Sequence, residues 1–170
     1  MPGALQFEAV ATLISPVDAA DLAILLFYPA CAPEAWQLNA IPLTEGWITR
    51  GANLVRGVTL AVAGFPGERR HIDYDKREVV NRRHIFRARY CGADDARSQI
   101  HTCQVLDDLE LTSFGRLGGS PVFTSSSAGI GLAGLVIQGH PTRQTLHFIS
   151  SRVLWHALGV IYSKVLGPAD

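Results

Sequence analysis

The chain alternates between short apolar runs and polar turns, a pattern typical of a protein built mainly from β-strands. Residues 5–14 are enriched in β-branched and aromatic residues and end at a Ser-Pro turn, and residues 22–28 form a continuous apolar run with the length of a buried strand. Residues 58–63 form a third run. In residues 84–91, HIFRARYC, apolar and charged side chains alternate, which predicts a strand with one buried face. These four segments are therefore predicted strands separated by turns.

The second half of the chain continues this pattern and then changes its period. Residues 99–106, 131–139 and 146–149 are predicted strands, and residues 124–127 a turn. After them, apolar residues recur at helical spacing: Val153, Leu154, Ala157, Leu158, Ile161, Tyr162, Val165 and Leu166. Ser150 or Ser151 is expected to cap this C-terminal helix.

Composition limits the classes of partner. With 170 residues, 48% of them hydrophobic, the chain can bury the core of one medium domain or of two small packed barrels. Fifteen basic and fifteen acidic residues give a formal net charge of zero, so neither nucleic acid nor an anionic membrane is a predicted partner. Residues 68–83 are highly charged, but the two signs interleave, which favours a solvated hairpin or loop.

The cysteines and the N-terminus indicate no special chemistry. Cys31, Cys91 and Cys103 are too few for a disulfide framework and are expected to be free thiols, with a Cys91–Cys103 bridge disfavoured by the predicted strand pairing. No metal site and no cofactor are predicted, because no Cys-x-x-Cys pair and no second cluster of metal-ligand residues accompanies these cysteines. Residues 1–10 do not have the pattern of a signal peptide, so the chain as it stands is expected in the cytoplasm.

One glycine-rich stretch, residues 114–123 with the sequence FGRLGGSPVF, resembles the nucleophile loop of chymotrypsin-like serine peptidases. In that family the loop reads Gly-x-Ser-Gly, then Gly or Ser, then Pro and a strand. Gly118 stands in the place of the nucleophilic serine. If the match is anchored on Gly115 instead, Leu117 takes that place. The hydroxyl is lost in both registers.

Three further segments resemble the same family in the same order along the chain. Asp21 and the apolar run after it resemble the segment whose aspartate orients the catalytic histidine. Residues 41–43 resemble the crossing between two barrels, and residues 131–139 resemble the strand that lines the substrate cleft. The resemblance implies an all-β, chymotrypsin-like antiparallel β-barrel fold. Residues 1–43 would be a remnant of the first barrel, and residues 44–170 a complete second barrel with a C-terminal helix.

The resemblance also assigns substrate-binding positions. Ile137 and Gly139 would bind the substrate backbone, Gln138 would cover the pocket, and Thr112 would lie near its base. These assignments imply a peptide or a protein as the partner.

Within the glycine-rich loop, Arg116 and Gly118 would form the oxyanion loop. Ser120 carries a hydroxyl, but it lies two residues too late in the loop to act as the nucleophile. Ser120 is therefore a poor substitute for the lost serine.

The catalytic triad is incomplete. No histidine precedes His71, whereas the family places its catalytic histidine well before the aspartate. His84, His101 and His140 are interpreted as strand or loop residues. Asp21 would be a triad remnant.

These gaps predict a degenerate, N-terminally truncated pseudoenzyme of the trypsin-like peptidase family, without proteolytic activity. Two alternatives stay open: a non-catalytic peptide- or protein-binding module, and an endopeptidase completed by an upstream segment or by a second chain. Residues 5–28 would present apolar, unpaired strands, so self-association through them is predicted.

Overall fold

The computed structural model describes residues 43–66, 70–76, 78–81, 83–94, 97–109, 113–114 and 116–165. The chain divides into two units after Leu43, and the fold below is that of the second unit. The predicted remnant of a first barrel, with strands 5–14 and 22–28 and Asp21, lies outside the described residues.

The second unit consists mostly of β-strands. In chain order its elements are α1 (Glu45–Ala52), β1 (Thr59–Gly64), β2 (Arg70–Asp73), β3 (Glu78–Asn81), β4 (His84–Asp94), β5 (Arg97–Val105), β6 (Pro121–Ser126), β7 (Gly129–His140), β8 (Thr145–Ser150) and α2 (Ser151–Val165), with a short 3-10 turn at Pro141–Arg143. None of the helices in the described part of the chain has the length and hydropathy needed to cross a membrane.

Six of these strands close into an antiparallel barrel. They pair in the order β1, β4, β5, β8, β7, β6, and β6 pairs back with β1. The predicted β-barrel and C-terminal helix are therefore confirmed. β2 and β3 form a separate two-stranded hairpin within the charged segment 68–83, as its sequence predicts.

The strand order contains a Greek key. β1, β4 and β5 are neighbours in the barrel, and β6 returns to lie on the free side of β1. This is the 4-1-2-3 arrangement that defines the motif. The connection between β5 and β6 must therefore pass two intervening strands, and it carries the glycine-rich loop.

The barrel interior is packed by the alternate residues of each strand. On β4, Phe86, Ala88 and Tyr90 are buried in the core, while Ile85 and Arg87 face outward, as the sequence pattern predicts. Other fully buried side chains of this cluster include Phe114, Phe148, Leu60, Leu109, Leu117, Leu146, Val62, Val122 and Val136. The core is thus a continuous apolar cluster inside the closed sheet.

Helix α1 lies between the predicted crossing at residues 41–43 and strand β1, in a stretch where no element was predicted. The backbone of α1 lies directly on β7: a Cβ placed on Gly51 would overlap the carbonyl of Leu132. Arg50 also donates a hydrogen bond from Nε to the carbonyl oxygen of Ile130, at 2.9 Å. These tertiary contacts stabilise a helix of only eight residues, which is too short to form on its own.

The predicted turn at residues 124–127 is also misplaced. Thr124 is buried, and β6 continues to Ser126, so the turn occupies residues 127–128. Ser126 Oγ accepts a hydrogen bond from the N–H of Ala128 at 3.2 Å, and Gly129 has a φ of 107°. Ser and Thr favour turns in general, but here they belong to a strand because the ladder with β7 satisfies their backbone groups.

The C-terminal helix begins where the sequence predicts. Ser150 Oγ accepts a hydrogen bond from the N–H of Arg152 at 3.3 Å, so Ser150 caps the helix. The Ser151 hydroxyl is buried and has no hydrogen-bond partner in the described structure. The helix therefore follows directly from the last barrel strand.

Candidate functional site

The glycine-rich loop is held by two tight turns. The N–H of Leu117 donates to the carbonyl of Phe114 at 2.9 Å, and the N–H of Ser120 donates to the carbonyl of Leu117 at 2.9 Å. Leu117 is fully buried and anchors the loop in the core. Gly119 has a φ of 80°, a conformation that glycine adopts without strain. The loop is therefore an ordered turn and requires glycine at one position.

Two further hydrogen bonds attach this loop to β7. The N–H of Gly119 donates to the carbonyl of Val136 at 2.8 Å, and the N–H of Val136 donates to the carbonyl of Ser120 at 2.9 Å. The loop is thereby fixed next to the start of the segment 137–139, which the sequence assigns to the cleft. The structure brings together these two predicted parts of the site.

Gly118 occupies an open position in the loop. It is exposed, a Cβ placed on it would meet no atom within 4 Å, and its φ is not positive. Another L-residue would therefore fit there without strain. Among the described hydrogen bonds, the N–H groups of Gly118 and Arg116 take no part, and Arg116 is exposed as well.

The other two candidate nucleophile positions are closed. Leu117 is fully buried, and Ser120 is only 6% exposed. The hydroxyl oxygen of Ser120 lies so close to the end of β1 that a Cβ on Gly64 would collide with it. No hydrogen bond joins this hydroxyl to a histidine within the described residues. A buried hydroxyl without a base is not an activated nucleophile.

The predicted cleft strand contains an irregularity. The pairing of β7 with β8 shifts between Val136 and Gln138, so Ile137 lies in a bulge. Ile137 and Gly139 are half-buried, whereas Gln138 is exposed. The backbone of this segment therefore departs from a regular ladder at the position predicted to bind a substrate backbone.

Phe114 closes the space beside this strand. It is 1% exposed, and a Cβ placed on Gly139 would lie 2.5 Å from Phe114 Cβ and 2.7 Å from Leu146 Cδ2. The side chain therefore packs directly against the Gly139 backbone. The space between the loop and the predicted cleft strand is therefore filled by the protein itself. Sequence reasoning missed this role, although a lone aromatic residue just before a glycine-rich turn is a signal for such an anchor.

Two other predicted site residues, Asp21 and Thr112, lie outside the described residues. Their positions relative to the loop and to β7 stay predictions.

His101 belongs to the barrel interior. Its Nδ1 lies 2.7 Å from the Tyr90 hydroxyl, and its ring stacks on Phe148 with a centroid distance of 5.3 Å. Burial lowers the pKa of His101 and raises the pKa of Tyr90. Burial therefore disfavours the charged form of this half-buried imidazole, which packs against aromatic side chains as a structural histidine would.

The remaining candidate bases are strand residues too. His84 makes a ring contact with Phe86, with a centroid distance of 6.4 Å. His140 contacts the ring of His147 edge-on at 5.6 Å, and His147 Nδ1 lies 3.0 Å from Thr102 Oγ1. Burial, followed by the nearby His140, lowers the pKa of His147.

The described thiols are free, as expected. Cys91 and Cys103 form no disulfide, because Cys103 is paired with Tyr90 and lies inside the barrel. Burial raises the pKa of Cys103 to about 12, and the neighbouring Cys91 adds to this effect. Within the described ranges, no group of three or more His, Cys, Asp and Glu residues could hold a metal ion.

Comparison with known proteins adds no family. No family model matches the chain, and no curated protein matches it. The resemblance to chymotrypsin-like peptidases therefore rests on the residues of this chain alone.

Proposed function

We propose that this chain is a domain of the trypsin-like serine peptidase family without proteolytic activity. One observation carries the proposal: the glycine-rich loop is hydrogen-bonded to β7 through Gly119 and Val136, with the open position of Gly118 exposed beside the predicted cleft strand. The six-stranded antiparallel barrel with its Greek key and C-terminal helix supports it, because the resemblance implies this architecture for the second barrel.

The lack of activity follows from the loop. Gly118 has no side chain, and Ser120 is packed against β1. Acyl transfer by this type of enzyme needs a nucleophile within hydrogen-bond reach of a base. An endopeptidase completed by an upstream segment would regain only the base, so a second chain would have to supply the nucleophile as well. The completed endopeptidase is therefore the weakest of the three readings.

A peptide-binding module is the second candidate. The exposed residues Gly118 and Arg116 favour it, since their N–H groups make no hydrogen bond within the described ranges and backbone donors in a turn can bind anionic oxygens. Phe114 counts against deep insertion of a side chain, because it fills the space next to Gly139. Binding would then be restricted to a carbonyl or carboxylate at the loop and to backbone contacts along residues 137–139.

The first test concerns the nucleophile. A fluorescent peptidyl phosphonate ester should label neither the purified chain nor the Gly118→Ser variant, and neither should hydrolyse a peptide amide. Gly118→Ser should fold normally, because a Cβ there meets no atom within 4 Å. Stoichiometric labelling of the wild type at Ser120 would contradict the proposal. Labelling of Gly118→Ser alone would show that a base is present near the loop.

The second test separates a binding module from a domain whose loop binds nothing. In a ¹H–¹⁵N spectrum, the amide signals of Gly118 and Arg116 should shift when a hexapeptide with a free C-terminal carboxylate is added. The same peptide with a C-terminal amide, which lacks the anionic oxygens, is the control and should shift them much less. Unchanged Gly118 and Arg116 signals at millimolar peptide would rule out the binding module.

A further inference from the structure

The outer face of the barrel carries an apolar groove that runs along β1. Its volume is about 540 Å³. The floor consists of the small outward residues Thr59, Ala61 and Ala63, and the walls include Ile85 on β4 and Phe123 on β6. We call this surface the β1 groove. Apart from Phe123, the last residue of the glycine-rich stretch, it shares no lining residue with that loop or with residues 137–139.

Large apolar side chains are left exposed at the β1 groove. Ile85 is 60% exposed, and Ile130, on β7 beyond the β6 wall, is 52% exposed. Trp47 packs edge-on against Phe123, with a ring-centroid distance of 6.2 Å and an interplanar angle of 82°. Soluble proteins seldom expose such a contiguous patch unless it binds a partner.

The closed barrel determines which kind of segment the groove can bind. β1 pairs with β4 on one side and with β6 on the other, so its backbone offers no free edge to an added strand. An extended peptide would therefore bury its own N–H and C=O groups without partners, which is costly. An α-helix satisfies these groups internally. The hydrogen-bond pattern thus favours a helical occupant.

The dimensions of the groove agree with a helix. Its walls stand on the strands that flank β1, so they are separated by two strand spacings, or about 10 Å. This is about the diameter of an α-helix with its side chains. The floor from Thr59 to Ala63 spans about 13 Å, which corresponds to roughly two helical turns. The alanine side chains leave room for large apolar residues of a partner.

The charges at one end of the groove indicate which charged side chains a partner should carry. Arg89 is opposite Thr59 in the β1–β4 ladder, and Arg50 is hydrogen-bonded to the Ile130 carbonyl. Neither guanidinium is paired with a carboxylate in the described part of the chain. Arg87, by contrast, is neutralised by Asp107 at 2.6 Å. Arg89 and Arg50 do not line the groove itself, but both lie next to its Thr59 end, where they place two cations within the reach of acidic side chains on a partner.

We propose that the β1 groove binds an amphipathic α-helix of a partner protein. The apolar stripe of that helix covers Ala61, Ala63 and Ile85 over about two turns. Aspartate or glutamate side chains at one end of the helix lie near Arg89 and Arg50. This function is separate from that of the glycine-rich loop.

The test uses a displayed library of 14-residue peptides selected on the full chain. The selected sequences should have large apolar residues at i, i+4 and i+7, with Asp or Glu near one end, and they should become helical on binding. Ala61→Arg, which fills the groove, should weaken binding of a selected peptide at least about tenfold. Val55→Arg is the control, since Val55 is 74% exposed and does not line the groove, and it should leave binding unchanged.

A charge-reversal pair keeps the test valid if Ala61→Arg folds poorly. Arg89→Glu should weaken binding about fivefold, and replacing the acidic residues of the peptide by Arg should restore it. Selection of alternating, strand-like peptides, or binding that none of these groove variants affects, would overturn the proposal. The proposal would also be overturned if the free chain formed a dimer, or sedimented with phosphatidylserine vesicles, and Ala61→Arg abolished that association. The groove would then bind a second copy of the chain or a membrane.

Discussion

Replacing Phe114 by alanine should lower the free energy of unfolding by about 3 to 5 kcal/mol, the usual cost of removing a buried phenylalanine. Phe114 is 1% exposed and belongs to the core cluster. Its backbone carbonyl accepts the hydrogen bond from Leu117 that forms the first turn of the loop, and the alanine variant keeps this carbonyl, so the expected loss comes from the side chain. The measurement is urea unfolding followed by circular dichroism.

Phe65→Ala is the matched control, because Phe65 is 53% exposed and its truncation should cost less than about 1 kcal/mol. A second measurement tests whether the truncated side chain leaves a cavity. If the space beside Gly139 stays open and dry, benzene should stabilise Phe114→Ala but not Phe65→Ala. A loss below about 1 kcal/mol for Phe114→Ala would show that this side chain does not fill the space next to the cleft strand.

Stability should also fall steeply at alkaline pH because of Cys103. Its pKa is raised to about 12 by burial, whereas an unfolded cysteine titrates near pH 8.5 to 9. The unfolded chain therefore loses this proton first, and the native state loses stability as the pH rises between these two values. The slope should be about 1.4 kcal/mol per pH unit, or roughly 2 kcal/mol between pH 9 and 10.5.

The Cys103→Ala variant isolates this contribution. The pKa of Tyr90 is also raised by burial and acts in the same direction, but it is common to both proteins and cancels in the comparison. The wild type should lose more stability than the variant between pH 8 and pH 10.5. Parallel pH profiles of unfolding for the two proteins would show that the thiol is not buried in the native state.

The strands and the terminal helix could be predicted from the sequence because their apolar residues recur with a regular period. Along residues 84–91, the alternation of side chains with a period of two residues identifies the face of β4 that points into the barrel, because only the inner face of a closed barrel is shielded from water. The ends of the strands were harder to predict from the sequence. β4 continues to Asp94 through a register shift after Tyr90, and a strand that contains such an irregularity around Gly92 resembles a polar loop in sequence.

The sequence by itself determined that the chain forms strands followed by a helix, and that a glycine-rich turn precedes the strand that begins at Pro121. Both depend on local composition. Only the tertiary structure decided that β6 closes the barrel against β1, that Gly64 confines the Ser120 hydroxyl, and that Phe114 packs on Gly139. These features are contacts between segments far apart in the chain, and side-chain periodicity within one segment carries no information about which distant backbone it will meet.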